Sequence, residues 1–315
     1  MLSRVADSLY WMSRYLERAE HTSRLLEVNI NLMLEHSGVA PAVRWSRVGS
    51  SLGMTGLAEL DTHESVQTMT SDLNERSSIV SCIVAARDNA RQVREQISSE
   101  MWEQLNRLYH HVRRVGIEDI WDAEPMELLR QVRDGAHLFQ GITDSTMNHG
   151  DGWQFIQVGR YIERALSLAT LLDVHFAQVP DDEGRQDTHI EWLGLLKSAT
   201  AFEGYCKVYT ADLTPDRIAE FLMLSEEFPH SIRFAVDQLR TALNSIAEAS
   251  TSRKTDRLAR LSGRLVAALS YSQIEEIMSG GLHTYLESVR RQCAQIHTAV
   301  NQVYITYAIE SALEA

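Results

Sequence analysis

Cysteine, proline and lysine are all scarce in this chain of 315 residues, and each shortage narrows what the protein can be. The three cysteines, Cys82, Cys206 and Cys293, are odd in number and widely spaced, and no two of them form a zinc or redox motif. That excludes a disulfide framework and points to a reduced, cytosolic setting. Only five prolines occur, so long stretches can run as uninterrupted helix. Of the 30 basic residues only Lys197, Lys207 and Lys254 are lysines, and 43 acidic residues bring the formal charge to −13. An acidic chain without a basic face gains little from counterion release, which argues against nucleic acid and anionic membrane as partners. No apolar run approaches the ~18 residues of a membrane span, and Met1 to Asp7 lack the apolar stretch of a signal peptide. The expectation is a cytoplasmic protein that needs no metal or disulfide to support its core.

Apolar residues recur at three- and four-residue spacing throughout and sustained alternation is absent, so the whole chain reads as all-α, a helical bundle of about twelve helices. Helices are expected over 4–35, 43–57, 64–72, from 77 towards 109, over 127–147 and 153–178, and then over 191–209, 215–224, 230–247, 254–278 and 282–313. Chain breaks are expected near Ser37-Gly38, between Gly116 and Pro125, and over Pro180 to Gly184. Asn148-His149-Gly150-Asp151-Gly152 is the clearest central break, with Asp151 as a helix cap, and divides the chain into halves 1–147 and 148–315. Thr214 and Ser231 are further cap candidates, and Pro215 suits a first helical position.

The halves share a motif. Arg14-Tyr15-Leu16-Glu17-Arg18-Ala19 returns 146 positions later as Arg160-Tyr161-Ile162-Glu163-Arg164-Ala165. The same offset pairs Leu25, Leu26 and Val28 with Leu171, Leu172 and Val174, and Arg87 and Gln92 with Arg233 and Gln238, while Trp45 and Trp192 open the second helix of each half. One offset at separate places points to two related halves. Within each copy Arg, Glu and Arg lie within about 100° of one another on the helix, joined by His21 in the first copy and flanked by apolar residues one turn away. Such charges are expected to be at least partly buried, and a buried carboxylate needs a cation beside it. Each Glu is expected to pair with the arginines of its own copy. Two readings stay open: a structural lock between core helices, or arginines with spare donors aimed at a carboxylate or phosphate in a cleft.

A second constellation is a cationic stripe in which Arg87, Arg91, Arg94 and Glu95 share one side of a helix, with Asn89 within it. Its plain reading is a solvated face. Gly-rich phosphate loops, nucleophile elbows and H-E-x-x-H are absent. The two Glu-x-x-His helices that a di-iron bundle requires are absent, and Asp134 with His137 is only an imitation. No metal or cofactor is expected. His21, one turn after Glu17, is the one histidine held as a possible acid or base.

Taken together, Leu9-Tyr10-Trp11 with Arg14 to Glu20, the stretch from Ala86 to Asn106, Trp153 to Ala165 and Phe228-Pro229-His230-Ser231 resemble the bacterial alpha-E domain family across essentially the whole chain. Where that family's usual patterns read A-R-E-N-A-R and F-P-R-S, this chain has Asp88 and His230. The resemblance implies a helical domain associated with circularly permuted ATP-grasp proteins and transglutaminase-like peptidases, in systems that make or trim peptides or amide-linked conjugates. Two functions follow as expectations. One is a partner or substrate-binding subunit whose Arg14, Arg18, His21, Arg160 and Arg164, with Arg87, Asn89, Arg91, Arg94 and Arg233, hold a small carboxylate-bearing or peptide ligand. The other is an enzyme of amide-bond formation or acyl transfer with Glu17 or Glu163 as general base. A solvent-connected cleft at the two glutamates favours the enzyme, and sealed, fully paired glutamates favour a structural role.

Overall fold

The computed structural model describes residues 3–34, 38–114, 126–178, 186–210, 212–248 and 255–306. The expected breaks at 37, 116–125 and 180–184, and the last helix beyond 306, lie outside these residues. Among the described residues there are fourteen α-helices and no strand. None of the helices is long and apolar enough to cross a membrane.

Helix α1 (Ser3–Leu34) is the axis of the first half and α7 (Asp151–Gln178) that of the second. Each is buried on more than one face, which is why their sequences carry apolar residues outside a single stripe. Around α1 lie α2 (Pro41–Ser51), α3 (Thr62–Ser71), α4 (Ile79–Gln92) and α6 (Glu127–Thr146), with α5 (Ser99–Arg114) bridging α4 and α6. The second half continues through α8 (Gln186–Ser198), α9 (Phe202–Tyr209), α10 (Pro215–Leu224), α11 (Ile232–Glu248), α12 (Thr255–Tyr271), α13 (Ile274–Gly280) and α14 (Leu282–Val300). Of these, α11 and α14 pack most extensively on α7, and α1 packs along α4 and α7 alike.

Local chemistry sets the boundaries. Pro41 and Pro215 occupy first helical positions, where a missing N–H costs nothing. Asp61 and Glu64 form a reciprocal capping box at α3. Thr214 stands at the cap position of α10, but its side chain makes no capping bond. Three expected helices are broken, the one over 191–209 between Ser198 and Phe202. The stretch from 77 to 109 divides at a 3₁₀ turn, Arg94–Gln96, and that from 254 to 278 divides after Tyr271.

Ser78 and Ser231 cap α4 and α11 in the same way. Each hydroxyl donates to a carbonyl six residues back, Asp72 and Ser225, and accepts from the N–H three residues on. These equivalent positions are 153 apart, not 146. Arg87 therefore does not correspond to Arg233: Arg87 lies well along α4, whereas Arg233 is in the first turn of α11.

The two axial helices meet at Ser13 and Gly159. A Cβ on Gly159 would lie 2.1 Å from Ser13 Oγ and 2.3 Å from the carbonyl oxygen of Tyr10. Only hydrogen at that position allows the approach. Gly159→Ala should therefore lose about 1–3 kcal/mol or more by denaturant titration, since overpacking against a backbone atom cannot be relieved by a rotamer change. Gly141→Ala is the control: open space surrounds Gly141 within α6, and the added methyl should be neutral or stabilising. Equal stabilities for the two variants would show that the crossing can open without cost.

Candidate functional site

One helical turn beyond the crossing, each glutamate leaves its own helix and is clasped by the arginines of the other. Glu163 on α7 receives Nε of Arg14 at 2.6 Å on Oε2 and Nε of Arg18 at 2.6 Å on Oε1. Glu17 on α1 receives Nε of Arg164 at 2.5 Å on Oε1, while Arg160 Nε stands 3.8 Å from Oε2. Gln140 on α6 links the last pair, accepting from Arg160 at 2.6 Å and donating to Glu17 Oε2 at 3.3 Å. The expected pairing within each copy is thus corrected to pairing across copies. The reason is reach: at the close crossing, the guanidinium groups of each helix arrive at the carboxylate of the other.

Both glutamates are buried, as are Arg14 and Arg164. Burial alone would raise the pKa of Glu163, but Arg14 and Arg18 outweigh it and hold the group below the ordinary carboxylate value. Arg14, Arg18 and Arg164 are likewise held charged, because the facing carboxylates overcome their desolvation. Burial and neighbouring Arg164 instead lower Arg160, the loosest member of the set. Aromatic rings back the cations: Arg14 lies 4.8 Å over Trp11, Arg18 5.8 Å over Tyr15 and Arg164 5.5 Å over Tyr161. Tyr10 donates to Nδ1 of His297 on α14 at 2.6 Å, and Arg14 Nη1 approaches the same nitrogen at 3.2 Å. Burial and Arg14 lower the pKa of His297 to about 4, so its ring is neutral, and Nδ1 is its acceptor because Arg14 Nη1 can only donate.

The two sides of this centre differ in access. Glu17 and Arg164 are sealed, with Arg164 also donating to the carbonyl of Pro229 at 3.1 Å. On the other side a solvent-open cleft of about 560 Å³ is lined by Arg14, Arg18, His21, Glu163 and, at its edge, Arg290. Arg18 is 23% exposed and spends only Nε on Glu163; its terminal nitrogens have no hydrogen-bond acceptor among the described residues. His21 Nε2 is also without a partner, and burial lowers the pKa of its ring.

The cationic stripe lies elsewhere. Arg87 donates to Asn106 at 2.6 Å and packs over Tyr109 and Trp102, joining α4 to α5. Arg91 is exposed beside Asp88, Asn89 bonds the Ala85 carbonyl, and Arg94 lies past the end of α4. Arg233 bonds the Leu224 carbonyl and Glu226. None of these residues lines the cleft. They fasten helices and turns.

Sequence reasoning missed Gln140, His297, the Glu20–Arg24 pair and a second clamp between the halves. In that clamp Glu191 on α8 is bound by Arg44, at 2.6 Å, and by Arg47, both on α2, beside buried His175. A signal for it was present. Aligning Trp45 with Trp192 sets Arg44 against Glu191, a charge reversal at matched positions.

A family model described as a predicted alpha-helical domain with a conserved ER motif matches residues 1–305. Among curated proteins, an uncharacterized protein of Mycobacterium bovis and two of Mycobacterium tuberculosis are each 23% identical to this chain over 95% of its length. The match covers 36% of each relative, so the chain spans about a third of their length. No solved structure matches.

Glu17→Ala should destabilise the fold by about 3–5 kcal/mol, the usual cost of breaking a buried pair, because it strands Arg164. A change within about 0.5 kcal/mol would mean that Arg164 finds water. Acid should also weaken the fold. Glu163 has a depressed folded pKa, so its contribution is full above the unfolded value of about 4.3 and is lost as pH falls through the folded one. His175 is held neutral down to about 3 by burial and by Arg47 and Arg44, whereas the unfolded ring protonates near ~6.5. Stability therefore falls as pH drops below that value. The denaturation midpoint should decline from pH 7 to pH 4, and His175→Phe should flatten the upper part of the decline. A midpoint constant from pH 7 to pH 5 in the wild type would contradict this.

Proposed function

The chain belongs to the Alpha-E family, and on that premise we propose that it is a ligand-holding partner subunit of an ATP-grasp-dependent system that forms peptide or amide bonds. The observation that carries this reading is Arg18: a cation fixed by one nitrogen to Glu163 with its remaining donors turned to an open cleft. A guanidinium held in this way is oriented before any ligand arrives, which lowers the ordering cost of binding a carboxylate or phosphate. The uncharacterized mycobacterial relatives join the matching region to further chain in one polypeptide, an arrangement that suits a module working beside another domain. A cytoplasmic setting fits the free thiols of Cys82, Cys206 and Cys293.

The alternative, an enzyme of amide-bond formation or acyl transfer with Glu163 as general base, draws on the place of Glu163 in the cleft wall. Against it, both carboxylate oxygens are bound by arginines and the depressed pKa opposes proton uptake. Glu17 is sealed from the cleft altogether.

The test combines the purified protein with a circularly permuted ATP-grasp protein from the same organism. The two should co-elute on size exclusion, and acid-dependent ATP consumption should fall by about tenfold or more with Arg18→Lys, since an ammonium cannot reproduce the fork of a guanidinium. Arg160→Lys should leave it largely unchanged, because Arg160 faces Gln140 and not the cleft. Failure of the two proteins to associate at micromolar concentration would sink the partner reading.

A further inference from the structure

The open side of the centre has a closed counterpart, and comparing them shows what the open side lacks. Beside Arg164 the protein supplies its own carboxylate. Glu20 is bound by Arg24, with His137 Nε2 at 3.5 Å, and lies among Arg164 and His230. At the positions 146 residues further on, Leu166 stands for Glu20, Ser167 for His21 and Thr170 for Arg24, and all three line the cleft. Counted from the equivalent capping serines, Ser77 stands for His230, and it too lines the cleft. Each replacement is smaller or gives up its charge. The cleft opens where the closed side places Glu20, Arg24 and His230.

Charge follows the same contrast. On the closed side Arg24, Arg160 and Arg164 face Glu17, Glu20 and Asp144, the last acting on Arg160. On the open side Arg14 and Arg18 face Glu163 alone. The residue 146 positions after Asp144 is Arg290, a cation at the cleft edge whose own charge is met by Asp173 at 2.8 Å. The open side is thus short of one negative charge where the closed side is balanced. A deficit of one matches a carboxylate better than a phosphate, which carries nearer two charges at neutral pH.

We propose that the cleft holds the terminal carboxylate of a short peptide or other amide-linked acid, seated on the free terminal nitrogens of Arg18 as Glu20 is seated near Arg164. This rests on the ligand-holding reading above and adds the ligand's class. The cleft volume of about 560 Å³ lies in the usual range for small-molecule sites. Its one acidic lining residue, Glu163, has both oxygens engaged, so no free carboxylate there pairs with an ammonium group. The far end of the ligand is therefore neutral, as in a peptide chain running out through the mouth, and a zwitterionic amino acid fits poorly.

The first test needs no ligand. Leu166→Glu supplies the missing carboxylate from within, and Leu166→Gln is its neutral isostere. At pH 7 the Glu variant should melt higher than the Gln variant, and the difference should vanish when Arg18→Gln is added to both. A Glu variant that melts lower than the Gln variant overturns the charge deficit and the proposal with it. The second test titrates the intact protein with N-acetyl-alanyl-alanine, its C-terminal amide, dialanine and inorganic phosphate. The N-acetylated acid should bind at least about tenfold more tightly than the amide or dialanine, and Leu166→Glu should abolish that binding. Tighter binding of phosphate than of the acid overturns the carboxylate assignment while leaving a ligand-holding subunit. Equal weak binding of acid and amide, with the ATP-grasp complex intact, overturns the cleft inference alone.

Discussion

Everything at the centre of this protein depends on how closely α1 and α7 cross. Gly159 lies against the backbone of Tyr10, and Ser13 turns its hydroxyl back onto that same carbonyl. With the backbones this near, the residues one turn on, Glu17 and Glu163, project into the joint and not into water. A carboxylate in that position is tolerable only with cations at hand, and the arginines of the opposite helix are the groups within reach. The crossing thus converts two copies of a local motif into one interlocked network.

Such a network is not the cheapest way to hold two helices together. Desolvating several ions cancels most of their attraction, and an apolar joint of similar volume would be about as stable. What the ions contribute is position. A guanidinium bonded through Nε has a set plane and direction, so the unused face of Arg18 points into the cleft with little freedom to turn away. Aromatic backing from Tyr15 and the bond to Oε1 of Glu163 keep it charged and in place. The same rigidity explains why Glu163 makes a poor base: the geometry that orients the arginines occupies the carboxylate.

The helical class, the central break near Asp151 and the importance of the repeated motif were legible in the residues, because periodicity, scarce proline and a shared offset all act locally. The partner of each charge was not. Arg14 and Glu17 are three apart on one helix, and spacing alone favours pairing them; only the crossing at Gly159 decides otherwise. The small pair Ser13 and Gly159 stands at the motif's own offset, so the point of contact was written in the sequence as a repeated small residue. The correspondence of Arg87 with Arg233 failed for a different reason. Identical residues at a constant offset assume that connecting segments keep their length, and the segment before α11 does not. The capping serines are the better marker, since their hydrogen bonds tie them to a helix start.

Size and charge differ across the crossing in a concerted way, and this separates a cleft from a packing fault. A fault would leave apolar walls and an unpaired helix face, because cavities from lost side chains inherit the lining of the core. Here hydroxyls and arginines share the lining with Leu52, Leu166 and Val174, while the closed side carries the carboxylate that would complete its cationic part. Volume, polarity and an uncompensated cation converge at Arg18, and that convergence makes a bound acid the economical account of the open side.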